Sequence, residues 1–135
     1  MRYCVNMTVN TVLTVYIKRA NESGIPVKIL VNVSRDIPVL PQDLVIVIAN
    51  LFENAVHATE KLENNRNSID IYIKESTRRL LIKVENPCRE NLTFDESLYG
   101  VGIRSVIATT NKYDGMYDFS AEEGTFSAKV SLNLK

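Results

Sequence analysis

Apolar and polar residues change period several times along this chain, and each change marks an element. Between residues 5 and 22 the apolar positions Val9, Val12, Leu13, Tyr16, Ile17 and Ala20 recur three and four apart, the spacing of one helix face. Gly24 and Pro26 then stop that helix. Val27, Ile29, Val31 and Val33 alternate with Lys28, Leu30 and Asn32, which is the period of a strand. A loop over Asp36 to Leu40 contains Pro38. Pro41 and Asp43 open a second helix, where a fixed φ and a negative charge are both favourable. Leu44, Ile48, Leu51, Phe52, Ala55 and Val56 form its core face, and it is expected to fray over residues 63–67.

Two alternating runs follow, one on Ile69, Ile71 and Ile73 and one on Leu80, Ile82 and Val84. The polar segment Glu75-Ser76-Thr77-Arg78-Arg79 between them reads as a hairpin turn, and Asn86-Pro87 ends the second run. A polar loop over 88–99 leads to a third helix from near Gly102 to Lys112, with Ile103, Val106 and Ile107 facing inward. Asp114-Gly115 introduces a strand at 116–122, and Glu123-Gly124 turns it into a last strand at 125–134. Helices are too few for a doubly wound parallel sheet. The order predicts a two-layer α/β sandwich, a mixed sheet covered on one face by three helices.

Composition narrows the class without naming it. A length of 135 residues makes one domain with a substantial core. Basic and acidic residues balance at 16 each, which gives no support for a nucleic-acid or anionic-membrane binder. Cys4 and Cys88 stand apart, and with His57 as the one histidine they argue against zinc and fit a reducing compartment. No run approaches the ~18 apolar residues of a membrane span. Asn6, Asn10 and Lys18 interrupt any signal peptide. The expectation is a cytoplasmic domain.

The chemistry concentrates on the second helix. Asn50, Glu53, Asn54, His57 and Lys61 form a polar stripe on an otherwise apolar helix. Buried amides are costly unless paired, so the two asparagines are either core amides bonded to nearby backbone or ligands of an ion or polar molecule. The amide oxygen of Asn54 suits a hard cation such as Mg²⁺. Asn50, one turn earlier, could meet a phosphate through its NH₂ or position a metal-bound water. Gly100-Val101-Gly102-Ile103 puts two glycines before a helix, where backbone amides and the helix dipole favour phosphate, although such pairs are more often plain turns.

These segments carry a resemblance. ANLFENAVHA, residues 49–58, resembles the N box of the GHKL ATPase and kinase superfamily, and GVGIRSV, residues 100–106, is similar to its glycine-rich G2 box. EEGTFSAKVSL, residues 122–132, resembles its final hairpin. Residues 3–25 resemble the segment that opens the ATP-binding domain of peptide-responsive, quorum-sensing type sensor histidine kinases. The resemblance covers almost the whole chain with its motifs in order. It implies a Bergerat-type ATP-binding fold over 1–135, with a linker remnant at 1–5 and an ATP lid at 87–99 that is mobile without nucleotide. It further implies that Asn54 coordinates Mg²⁺, Asn50 supports the phosphates and metal, and Gly100, Gly102 and Ile103 form the phosphate turn. Thr125 would lie near adenine. His57 stands where many relatives carry a basic residue near the phosphates, or is simply an exposed helix residue. It is not the phosphoacceptor, which the family carries on a separate helical dimerisation domain.

Two departures matter. The family's G1 box has an Asp that accepts from the adenine amino group, whereas this chain has Val84-Glu85-Asn86-Pro87, where Asn86 Oδ1 can accept without charge. The family's hydrolases carry a Glu one turn before the metal-binding Asn to activate water. Asn50 cannot serve as that base. The resemblance therefore implies an ATP-dependent histidine kinase domain, inactive in phosphotransfer by itself and monomeric in isolation. Its partners would be a histidine-bearing dimerisation domain and, indirectly, a response regulator, without nucleic-acid or membrane contact, as the cytoplasmic part of a membrane-anchored receptor. The alternatives are a freestanding protein-serine kinase of the anti-sigma kind, which carries Glu at the position of Asn50, and a nucleotide-binding module that has lost catalysis. Glu53 and Arg104 stay open between site and surface, and Lys61 and Cys88 read as bystanders.

Overall fold

The first helix, α1 (Met7–Glu22), starts at Asn6, whose Oδ1 accepts from the Val9 amide at 3.0 Å. The same side chain donates to the carbonyls of Ser34 and Arg35 and so fastens the helix start to a distant loop. The computed structural model describes residues 2–62, 68–89 and 100–134. After Gly24, whose φ of +75° suits a residue without Cβ, the chain enters β1 (Val27–Asn32). Val33, read as part of this strand, lies just beyond it and is still buried.

Helix α2 (Pro41–Glu60) begins with Pro41 and buries Leu44, Val47, Ile48, Leu51, Phe52, Ala55 and Val56. It then crosses to β2 (Ile69–Glu75), which pairs with β1 in parallel, as a helical crossover permits. The residues expected to fray, 63–67, lie outside the described residues. A tight turn, closed by the Ser76 amide on the Arg79 carbonyl at 2.8 Å, joins β2 to β3 (Arg79–Pro87). Helix α3 (Val101–Lys112) leads to β4 (Met116–Glu122) and β5 (Thr125–Asn133). Glu123 (φ 49°) and Gly124 (φ 82°) make the two-residue turn between them, a geometry that matches the twist of paired strands.

The sheet order is β1-β2-β3-β5-β4, parallel at β1–β2 and antiparallel elsewhere. Alternation sends Ile69, Ile71, Ile73, Leu80, Ile82, Val84, Ala128, Val130 and Leu132 to one buried face, which the helices cover. The other face carries exposed Lys28, Leu30, Asp70 and Lys129. The expected two-layer sandwich with a mixed sheet and three helices is what forms. Among the described residues no helix is long and apolar enough to cross a membrane.

One polar clamp sets the angle of α3 against α2. Asp43, in the first turn of α2, accepts from Lys112 Nζ at 2.9 Å and Tyr113 Oη at 2.6 Å. Tyr113 Oη also accepts from the Leu40 amide at 3.0 Å. Burial disfavours the Asp43 charge, but the bonds from Lys112 and Tyr113 and the lysine's charge outweigh it and hold the carboxyl below its ordinary range. The end of α3 is thus tied to the start of α2, so the helices run antiparallel and the start of α3 falls beside the middle of α2.

Candidate functional site

That arrangement brings Asn50, the first member of the second-helix stripe, to the glycine turn. Asn50 Nδ2 donates to the Ile46 carbonyl at 2.7 Å, one turn back on α2. A carbonyl can only accept, so this bond assigns the amide's orientation and turns Oδ1 outward. Oδ1 faces Gly102, where an added Cβ would lie only 2.7 Å from it. Gly102 therefore lets the start of α3 rest directly on Asn50. The two glycines are unequal. A Cβ on Gly100 would meet nothing within 4 Å, and its φ of −85° is open to any residue.

Gly100 is the N-cap of α3 and has no side chain to cap it, so among the described residues no side-chain cap reaches the first amides of the helix. The helix begins one residue earlier than the sequence pattern suggests, which puts Gly102 inside the first turn. Ile103 is buried in the core and offers this end only its backbone. Together the turn presents an array of N–H groups and a positive dipole end, the arrangement that holds anions.

Asn54, one turn after Asn50, is half-buried, and no hydrogen bond to its side chain forms among the described residues. Its amide oxygen is a neutral hard donor and fits a divalent cation that draws its remaining ligands from phosphate and water. The other members of the stripe turn elsewhere. Glu53 is paired with Arg19 of α1 and, at 3.0 Å, with His57 Nε2. His57 Nδ1 lies 3.9 Å from Glu60, which also accepts from Ser23 Oγ at 2.7 Å. His57 is 58% exposed and its ring is engaged by two carboxylates of its own helix. Lys61 ends α2 at the surface, and Arg104 is exposed.

Asn86 is 2% exposed on the helix-covered face of β3, opposite Phe126. Its Nδ2 donates to the Pro87 carbonyl at 2.8 Å, which leaves Oδ1 as the side chain's acceptor. Thr125 pairs with Pro87, so alternation points its side chain to the other face of the sheet from Asn86. Both residues line a cavity of about 440 Å³ at the strand ends, together with Asp70, Glu85 and Glu123. Neither Asn50 nor Asn54 reaches that cavity. The Cys88 thiol beside it is pushed up by burial, which keeps it protonated and unreactive. The lid expected at 87–99 falls, beyond Arg89, outside the described residues.

The pairings of Glu53 with Arg19 and of Asp43 with Lys112 and Tyr113 were not visible in the sequence. Asp43 signalled only a helix start, and nothing local marks a partner some seventy positions away.

Comparison with known proteins gives the family and the fold. The chain belongs to the GHKL domain family, whose model matches residues 39–133. The fold is that of histidine kinase catalytic domains. The histidine kinase AdeS of Acinetobacter baumannii superposes with a TM-score of 0.74 at 15% identity, covering 95% of this chain and 64% of that one. The catalytic domain of histidine kinase ThkA superposes with a TM-score of 0.74 at 14% identity, covering 94% of this chain and 91% of that one. The cytoplasmic segment of histidine kinase QseC gives 0.63 at 19% identity, covering 93% and 72%. The chain thus spans less than two thirds of the AdeS chain, and at these identities the likeness is one of fold. No curated protein matches the chain by sequence.

Proposed function

We propose that this chain is the Mg-ATP-binding catalytic domain of a sensor histidine kinase, cytoplasmic and monomeric by itself. It would serve phosphoryl transfer to a histidine on a separate dimerisation domain, from which a response regulator is reached indirectly. The observation that carries the reading is the meeting of Asn50, one turn before Asn54 on α2, with the glycine start of α3. In this reading the first amides of α3, at Gly102 and Ile103, hold the phosphates. Asn54 holds Mg²⁺ through its amide oxygen, and bound Mg²⁺ supplies charge neutralisation along the triphosphate. Asn86 Oδ1 accepts from the adenine amino group, and Thr125, whose side chain leaves the sheet on its other face, makes no side-chain contact with adenine in this reading.

Transfer to a protein side chain is favoured over hydrolysis by what the stripe lacks. An amide at position 50 takes no proton from water at neutral pH. The carboxylate beside Asn54 is Glu53, and it is occupied by Arg19 and His57. What remains is positioning and charge stabilisation, which suffice for phosphoryl transfer when the acceptor is delivered by another domain.

The test is a titration with ATP, with and without Mg²⁺, followed by calorimetry. Weak binding that strengthens with Mg²⁺ is expected, and Asn54→Ala should abolish the metal dependence while leaving the urea midpoint nearly unchanged. Addition of γ-labelled ATP and a separate phosphoacceptor domain should then label histidine. Absence of binding by the wild-type domain at millimolar ATP would sink the reading, and label on serine would move it to the protein-serine kinases.

A further inference from the structure

The amide of Asn50 is committed before any ligand arrives. One N–H of its NH₂ donates to the Ile46 carbonyl at 2.7 Å, and its oxygen lies against Gly102, where a Cβ would sit 2.7 Å away. Both contacts are internal to the protein. Together they fix how the amide is turned, with its oxygen, an acceptor, set at Gly102. The far end of α3 is independently fixed to α2 through Asp43, Lys112 and Tyr113. With that end tied, the height of the near end above α2 is set by what lies beneath Gly102, which is the Asn50 side chain.

We infer that Asn50 is a positioning residue, a strut whose side chain seats the first turn of α3 at the height where its amides meet phosphate, rather than a ligand of the metal. The inference rests on the nucleotide-binding reading above and deepens it. A strut and a metal ligand make different demands. A strut acts on the turn whatever occupies it, so its loss weakens every phosphate-bearing ligand in proportion, with or without metal. A metal ligand acts only on the metal-loaded form.

The experiment measures ATP affinity with Mg²⁺ and with excess EDTA for the wild type, Asn50→Ala and Asn54→Ala. Expected for Asn50→Ala is a loss of about tenfold in both conditions, so that the ratio between them is that of the wild type. Asn54→Ala should instead bring that ratio close to one. A collapse of the ratio in Asn50→Ala, or an unchanged affinity, overturns the inference.

A second measurement needs no nucleotide. Gly102→Ala forces a Cβ onto Asn50 Oδ1, so it should lower the melting temperature in the wild type and lower it less, or raise it, in the Asn50→Ala background. Equal shifts in the two backgrounds would mean that Asn50 does not bear on the turn, and would overturn the strut on their own. If the wild type binds no nucleotide, the function proposed above fails while this thermal cycle still decides whether the strut exists.

Discussion

Removing one oxygen atom tests how α3 is held. In Tyr113→Phe the ring stays and the hydroxyl goes, so packing is nearly conserved. Two hydrogen bonds are lost, one to the Asp43 carboxylate at 2.6 Å and one from the Leu40 amide at 3.0 Å. Leu40 is half exposed, so water replaces its partner at little cost. Asp43 is 4% exposed, so its lost bond counts nearly in full. A hydrogen bond to a charged group contributes roughly 1.5–3 kcal/mol, which puts the expected destabilisation at about 2 kcal/mol, or a melting temperature lower by about 6–10 °C. Lys112 remains on the carboxylate and prevents a larger loss.

The effect should depend on pH with a definite sign. Folding holds the Asp43 carboxyl below its ordinary range, so its contribution is complete above the unfolded-state value of about 4 and fades as pH falls through the lower folded-state value. The wild type and the Phe variant should therefore differ most at neutral pH and converge in acid. Urea unfolding at a series of pH values between 7 and 3 reads both quantities. A destabilisation below about 0.5 kcal/mol at pH 7, or one that is unchanged at the acid end, would refute the clamp as described.

The remaining expectations are simpler. In Gly115→Ala the new Cβ would lie 2.0 Å from the Ser131 carbonyl oxygen, and backbone cannot yield as a side-chain tip can. A loss of about 3 kcal/mol or more is expected in chemical denaturation, and near-wild-type stability would show that the α3–β4 corner is loose. Arg19→Ala breaks a pair whose members are each about one third exposed, at 36% and 33%, so solvent screening should limit the cost to under about 1 kcal/mol by the same assay. A cost several times larger would mean that the Arg19–Glu53–His57 seam acts as one cooperative unit.

Much of the architecture could be read from periodicity because each element reports its own exposure. Helix α2 repeats its apolar positions at helical spacing and strands β2 and β5 alternate, so a single segment is enough to reveal which face is buried. The turns were equally local. Gly24 needs its positive φ, and Glu123-Gly124 is the dipeptide that a two-residue hairpin accepts. Errors lay at the ends, where Val33 falls outside β1 and Val101 already belongs to α3, because terminal residues answer to neighbours rather than to period.

The candidate site was legible only as residue types. Asn50 and Asn54 announced themselves as amides on an apolar helix, and Gly100 and Gly102 as a pair before another. Which glycine mattered could not be read, since both permit the same turn. Only contact with a side chain 52 positions earlier separates them, leaving Gly102 packed and Gly100 free. Asn86 and Thr125 looked like members of one pocket wall, and strand register puts their side chains on opposite faces.

By itself the chain determined its elements, their order and which face of each turns inward, since burial follows from a side chain's own solubility and spacing. Tertiary structure alone decided that the start of α3 meets the middle of α2. That meeting depends on a buried carboxylate finding a lysine and a tyrosine at the far end, and on a missing Cβ that lets two backbones close on one amide. Such distances between remote residues are properties of packing and leave no trace in local pattern.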